Sequence, residues 1–282
     1  MLPSFALLAA LVVGTWNGNW FPSGRAEHRA HPDVEDATTT AAARMLAAGL
    51  NAIDPAGTND VILCLNEIRG PRAASNLISR IGRKGLRFAV ISGYRRRDRF
   101  DQQQDVIATT LPVVEAHWSR WRNAKEVTPP RGYAFAAVVV SPAVTANVYA
   151  VHLKSDYGAN TPEKLAANRE KRSRAIRQLV DQERPRRRCP ARAVIVAGDL
   201  NADRWAKSYA EECIFDQLEK AGFTNTLEFL PPDARGTHPS RRYGNSALDY
   251  VLVRGLKPIG LPCIIPNDAL SDHCALFATL EP

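Results

Sequence analysis

The sequence predicts a single α+β domain in which strands and helices interleave. Three observations carry this. Short apolar, β-branched runs alternate with longer runs whose apolar residues recur at helical spacing. No internal repeat or low-complexity linker divides the 282 residues. Hydrophobic residues make up 45 %, enough for one large core and too many for a disordered chain.

The elements follow in chain order. Residues 1–10 are apolar, with small Ala9 and Ala10, but lack a basic start. They read either as an abbreviated leader or as the beginning of the first strand. The domain proper is 11–282. With a leader the protein is secreted or periplasmic; otherwise it is cytoplasmic. The run is too short, and turns polar too soon, for a stable membrane span. "ALVVGTWN" is the first strand. "DATTTAAARMLAAGLNAI" is a helix that Thr38–Thr40 can cap. "DVILCLNE" is a strand ending on a carboxylate, and "AASNLISRIG" is a helix with Gly at its exit. "RFAVISG" and "DVIATTLPVV" are strands; "EAHWSRWRN" is a packed or capping element around Trp118 and Trp121. "YAFAAVVVS" and "ANVYAVHLKS" form an antiparallel pair turning at Ser141–Pro142. "TPEKLAANREKRSRAIRQLVDQE" is the longest helix, with Pro162 in its first turn. Strand "AVIVAGDLN", a helix from Ala206 to Ala221, and strands "ALDYVLVRG" and "HCALFATLE" complete the chain.

Lys and Arg total 37 against 29 acidic residues, a net charge of +8, so an anionic partner is favoured over a cationic one. The cations clump at Tyr94–Arg99, Arg169–Arg177, Arg184–Arg192 and Arg241–Arg242. Any single cluster is an ordinary solvated surface. The set suits a polyanion such as nucleic acid, because each neutralised phosphate releases counterions. The five cysteines show no C-x-x-C spacing and form neither a zinc site nor a dense disulfide framework. Cys64 reads as a buried thiol, and Cys189–Cys213 or Cys263–Cys274 are possible pairs.

Polar residues recur where apolar strands end. These are Asn17 and Asn19 of "TWNGN", Glu67 of "LCLNE", His152 of "VHLKS", Asp199 and Asn201 of "GDLN", Asp249 of "LDY", and Asp272 and His273 of "SDH". Each alone has a bland role as a loop cap, a core histidine or a turn former. Together they form oxygen-rich ligands for a hard cation, Mg²⁺ or Mn²⁺, beside two histidines able to move protons. That combination describes metal-assisted attack of water on a phosphoester.

In this order the motifs resemble the endonuclease/exonuclease/phosphatase superfamily, the deoxyribonuclease-I-like fold, over about Val12–Leu280. The resemblance implies a four-layer α/β/β/α sandwich with two packed mixed sheets and a site at one rim. It implies Glu67, Asn17 and Asp272 as metal ligands. Asp199 orients or deprotonates water, and Asn201 holds the phosphate. His273, oriented by Asp249, contacts phosphate or acts as base. His152 stabilises the pentacovalent phosphate or protonates the leaving oxygen. Asn19 stands where many members carry a carboxylate, and Asn66 where Gln is usual. Some relatives pair the His152 equivalent with a carboxylate that the sequence does not identify.

The expected activity is therefore a metal-dependent nuclease on DNA or RNA, acting as a monomer. Asn19, Lys154, Arg241 and Arg242 are the candidate substrate contacts. The alternatives are a phosphomonoesterase or sphingomyelinase-type lipid phosphodiesterase of the same fold, or a non-enzymatic binding module. The full set of polar strand ends argues against the last.

Overall fold

The computed structural model describes residues 10–23, 31–96, 99–100, 103–123, 127–184, 193–240, 244–266 and 269–282. Strand β1 (Leu11–Phe21) leads into α1 (Pro32–Ile53), β2 (Asp60–Ile68), α2 (Pro71–Ile81) and β3 (Arg87–Ile91). A small hairpin of β4 (Arg95–Arg96) and β5 (Arg99–Phe100) precedes β6 (Gln104–Thr109). Strands β7 (Val113–Arg120), β8 (Gly132–Ser141) and β9 (Val144–His152) run on as a meander into α3 (Pro162–Gln182). After β10 (Ala193–Asp199) come α4 (Ile214–Lys220), β11 (Thr224–Asn225) and the hairpin of β12 (His238–Ser240) and β13 (Gly244–Ser246). Strands β14 (Asp249–Arg254), β15 (Lys257–Ile265) and β16 (Ala275–Glu281) close the chain.

Two six-stranded sheets result, ordered β15-β16-β1-β2-β6-β3 and β11-β14-β10-β9-β8-β7. Their strands alternate faces. On β1 and β2, Leu11, Val13, Ile62 and Cys64 join the core between the sheets. Val12, Trp16, Val61, Leu63 and Leu65 turn outward and pack under α1 and α2. Helices α3 and α4 cover the second sheet through Ile176, Leu179, Ile214 and Leu218. Strands buried on both faces must be apolar at nearly every position, which is what the runs show. The four-layer sandwich is the one the motifs imply.

Several local expectations are corrected. Helix α1 starts at Pro32 and is capped by His31, whose Nδ1 accepts from Asp33 N. Thr38, Thr39 and Thr40 lie inside the helix and donate back to the carbonyls of Val34, Glu35 and Asp36. At 22 residues α1 is one longer than α3. "EAHWSRWRN" falls largely in β7, an edge strand. The expected helix over 206–221 is only α4, preceded by a 3₁₀ turn at Lys207–Tyr209. Asp203 Oδ1 starts that stretch as a turn by accepting from Trp205 N and Ala206 N. Cys213 and Cys263 are free thiols, so no Cys263–Cys274 bond forms; Cys189 lies outside the described residues. The possible leader, apart from Ala10, also lies outside them. Among the described residues no helix is long and apolar enough to cross a membrane.

Candidate active site

Strand register gathers the polar ends at one rim. Strands β1 and β2 are parallel and place Asn17 level with Asn66. Strands β9 and β10 are parallel and place His152 level with Asp199. Strand β14 runs antiparallel to β10, so its first residue, Asp249, is level with Asp199. Strand β16 runs antiparallel to β1, which brings the preceding Asp272 and His273 to the end where Asn17 lies.

Contacts then cross between the sheets. Asn17 Nδ2 donates to Asp199 Oδ2 at 2.9 Å and to Glu67 Oε1 at 3.4 Å. His152 Nε2 lies 3.6 Å from both Glu67 Oε1 and Asp199 Oδ2. His273 Nε2 lies 3.8 Å from Asp199 Oδ2, and its Nδ1 is 2.7 Å from Asp249 Oδ2. Asn201 N donates to Asp199 Oδ1 at 2.8 Å, while its side chain donates to Leu153 O at 3.3 Å. Residues from six strand ends thus form one connected cluster.

The backbone is bent to aim these groups. Asn19, Trp20, Glu67, Arg131 and Asn201 all have positive φ, between 45° and 60°. Such conformations cost on the order of 1 kcal/mol or more each outside glycine. Register breaks between Asn17 and Phe21, and between Leu65 and Ile68, accompany them. Bulges of this kind re-aim side chains at a rim. In return the backbone N–H of Asn19 reaches Asn17 Oδ1 and that of Trp20 reaches Glu67 Oε2. Gly198, at φ 141°, is required for a different reason. A Cβ there would lie 2.0 Å from Val151 O and 2.8 Å from Asn66 Oδ1.

Burial sets the charge states. The Asp199 carboxyl is pushed up to about 7 by desolvation and the nearby Asp249 carboxylate, with His273 opposing. Glu67 is also raised by burial, against hydrogen bonds from Gln103 and Asn17 and the charges of Arg131 and His273. His152 is held well below the usual imidazole range by burial and by Arg131, His273 and Lys154. It is therefore neutral. Its Nε2 faces two carboxylates, which places the proton there; its buried Nδ1 has no hydrogen-bond partner. The carboxylate that some relatives pair with this histidine has no counterpart among the described residues. His273 behaves oppositely. Burial lowers it, but the Asp249, Asp199 and Asp272 carboxylates outweigh burial and push it up to about 10.

Asp272 sits at the edge of the cluster. Its half-exposed carboxylate is 3.6 Å from His238 Nε2, and the His238 and His273 rings meet edge to face with centroids 4.7 Å apart. Among the described residues, two groups of His and acidic side chains could hold a metal ion by ligand-atom proximity, His238–Asp272–His273 and Asp199–Asp249–His273. Glu67 belongs to neither; it meets Asn17 directly, and Asn17 O accepts from Ser271, the neighbour of Asp272. Asn19 is tied in through its backbone. Lys154 is half-buried two residues beyond His152, and Arg241 and Arg242 lie outside the described residues.

Sequence reasoning gave no supporting role to five residues that have one. Fully buried Thr237 donates to Asp249 Oδ2 at 2.8 Å and accepts from the N–H groups of Leu248 and Asp249. Asn66 Oδ1 accepts from Asp199 N, and its Nδ2 donates to Asp105 Oδ1 at 2.7 Å. Asp105 is raised to about 7 by burial, against hydrogen bonds from Asn66 and Tyr94 and the charge of Arg131. Arg131 holds the carbonyls of His152 and Leu153 and the Gln103 side chain. His238 is the fifth. Only its place in "GTHPSRRYG" just before β14 hinted at it.

The Endonuclease/Exonuclease/phosphatase family model matches residues 14–273. The chain belongs to that family. Members of the endonuclease/exonuclease/phosphatase family are phosphoester hydrolases, and the cluster occupies the strand ends that the matched region contains. A family protein from Leptotrichia buccalis C-1013-b superposes with TM-score 0.65 at 12 % identity, covering 97 % of this chain and 100 % of that one. Humanized D. rerio TDP2 gives 0.62 at 16 % identity, covering 97 % and 99 %. A Neisseria 3′ phosphatase, NExo, bound to a product DNA hairpin, gives 0.59 at 15 %, covering 95 % and 98 %. At these identities the likeness shows a shared fold. No curated protein matches the chain.

Proposed function

We propose that this protein is a divalent-metal-dependent phosphodiester hydrolase acting on nucleic acid. The observation that carries the reading is the convergence of Asn17, Glu67, His152, Asp199, Asn201, Asp249 and His273 on one rim. The donor set fits a hard cation. Glu67 is a buried carboxylate with no Lys or Arg ion pair among the described residues, and burial works against its charge. A carboxylate in that position, touched by the field of Arg131 and His273 but by no direct cation, suits an oxygen-seeking Mg²⁺ or Mn²⁺. Glu67, Asn17 and Asp272 are the residues that would hold the ion. When bound, it would neutralise charge on the phosphate oxygens.

The remaining residues have separable tasks. Asp199, with its carboxyl raised to about 7, is suited to orient a water and accept its proton near neutral pH. Asn201 offers an amide to a phosphate oxygen. His273, held as an imidazolium by Asp249, is suited to a phosphate oxygen rather than to work as a base. Neutral His152 presents Nε2–H as a hydrogen-bond donor to the developing charge. The net charge of +8 favours a polyanion. The similar NExo structure is bound to a product DNA hairpin and a D. rerio TDP2 structure to a single-strand DNA product, which supports that class. That NExo is a 3′ phosphatase also favours a second reading, a phosphomonoesterase acting on a DNA end.

The test is a panel with Mg²⁺ or Mn²⁺ of plasmid, linear duplex, RNA, 3′-phosphorylated oligonucleotide, bis-p-nitrophenyl phosphate and sphingomyelin. Turnover of a nucleic-acid diester that EDTA and Asp199→Ala both abolish is the expected result. Full turnover in EDTA refutes metal dependence. Hydrolysis of sphingomyelin alone refutes the substrate class, and release of 3′-phosphate alone selects the monoesterase.

A further inference from the structure

Beside the rim, the loop after β9 and the first turns of α3 enclose an open groove of about 200 Å³. Lys154, Tyr157, Gly158, Lys164, Asn168 and Lys171 are among its walls, and no carboxylate lines it. Lys164, Asn168 and Lys171 fall on one stripe of α3 at helical spacing. None of the three lysines forms an ion pair among the described residues. Lys164 Nζ only donates to Asn160 Oδ1 at 2.9 Å, and Lys154 Nζ only to the Ser155 carbonyl. The one carboxylate of the 153–161 loop, Asp156, is bound to Arg172 at 3.0 Å and 3.3 Å. Burial and the charges of Arg131, Lys171 and Arg172 depress the Lys154 ammonium, with Asp156 opposing. Cations gathered without a counterion are satisfied by an anion from outside.

The groove also carries an aromatic ring. Tyr157 is 95 % exposed, yet its backbone is fixed, with its N–H donating to Ser155 Oγ at 3.0 Å. The loop beneath it is pinned by Arg172 Nη1 on Lys154 O at 2.8 Å and Asn168 Nδ2 on Ser155 O at 3.1 Å. The same loop leaves the catalytic cluster directly: Leu153 N donates to Asp199 O, and Leu153 O accepts from Asn201 and Arg131. A presented ring among lysines combines two requirements for unpaired nucleic acid, a π-face for a base and cations for the backbone. A duplex buries its base faces and could use only the cations.

We propose that this groove binds an unpaired stretch of the nucleic-acid substrate next to the reacting phosphate. Lys154, Lys164 and Lys171 take backbone phosphates and Tyr157 stacks on a base. The proposal rests on the nucleic-acid reading above, and its test is a binding measurement that does not depend on turnover. Fluorescence anisotropy of a labelled 12-nucleotide oligothymidylate and of a duplex is followed over a KCl series, on Asp199→Ala protein. Adding Tyr157→Ala is expected to weaken single-strand binding about tenfold, within the range for loss of one stacked base, and to leave the duplex within about twofold. Adding Lys164→Ala with Lys171→Ala is expected to flatten the single-strand salt slope by about 1.4, at roughly 0.7 per phosphate. In the active protein these three surface changes should leave bis-p-nitrophenyl phosphate turnover unaltered. Unchanged single-strand affinity in Tyr157→Ala overturns the stacking platform, and an unchanged slope overturns the lysine wall. Equal losses for both strands forms overturn the single-strand assignment. Failure of the unmutated protein to hydrolyse any phosphodiester with Mg²⁺ instead removes the enzymatic reading, while anisotropy still decides the groove.

Discussion

His273 is held by what surrounds it. Its Nδ1 meets Asp249 Oδ2 at 2.7 Å, and the same oxygen accepts from Thr237 Oγ1 at 2.8 Å. Asp249→Asn keeps the shape but replaces a buried carboxylate by an amide. We predict a folded protein whose turnover drops by roughly 10²–10⁴, the scale of disrupted acid–base or charge-stabilising chemistry. Imidazole resonances followed by NMR should show the His273 titration moving down from about 10. A wild-type rate with an unmoved titration removes the role of Asp249. Gly198 makes a second residue-scale prediction. Gly198→Ala drives a methyl to 2.0 Å from Val151 O, between β10 and β9. It should cost on the order of 3 kcal/mol, read by urea denaturation, because rigid backbone must move. A change under about 0.5 kcal/mol would show that the strands separate easily there.

Among the elements, α3 has the widest reach. Arg172 is fully buried on its inner face, with its guanidinium on Glu212, on Asp156 and on the Lys154 carbonyl. One side chain thereby ties α3 to the loop leaving the catalytic cluster and to the residues before α4. Glu212 is itself nearly buried and has no other charged partner among the described residues. Arg172→Ala leaves that carboxylate uncompensated and is predicted to cost about 3–5 kcal/mol, measured by chemical denaturation. Arg172→Ala with Glu212→Ala should recover part of the loss, because the stranded charge is gone. No recovery would assign the loss to packing alone.

For the whole molecule, a cluster of buried carboxylates sits inside a chain of net charge +8. Its titrations oppose one another below neutrality: His152, held well below 6.5, favours the fold as pH rises to about 6.5, against Asp105 and Asp199. His273 is raised from 6.5 to about 10, so its contribution to stability is complete below about pH 6.5 and is lost as pH rises through 10. Asp105 and Asp199 are raised from 3.8 to about 7, so they favour the fold most at acid pH and less as pH climbs through 7. Metal-free protein should therefore lose stability between about pH 7 and 10, where His273 gives up its proton and His152 no longer compensates. A divalent cation binds the deprotonated set and opposes that loss. Scanning calorimetry with 10 mM Mg²⁺ against EDTA should show a larger rise in Tm at pH 8 than at pH 5.5. Equal rises at both pH values would place the ion away from these carboxylates.

The site was legible in the sequence to the extent that strand ends are local. An apolar run stopping at Asn17, Glu67, His152, Asp199 or Asp249 shows a side chain leaving the core at an edge, and the order of these stops carries the family likeness. Burial on both faces makes the strands of the central layers apolar throughout, so periodicity found β2 and β10 readily. It passed over β15, an edge strand interrupted by Gly260 and Pro262. It extended α4 over a stretch that Asp203 closes into turns. Which stops face one another was decided only by the tertiary structure. Pairing of β10 with β14 and β9, the bulges that turn Glu67 inward, and the Thr237–Asp249–His273 chain all join residues far apart along the polypeptide. The raised carboxylates and the neutral His152 follow from that burial. The sequence determines which residues can do the chemistry; desolvation and register, which arise only when distant segments pack, determine their charge and aim.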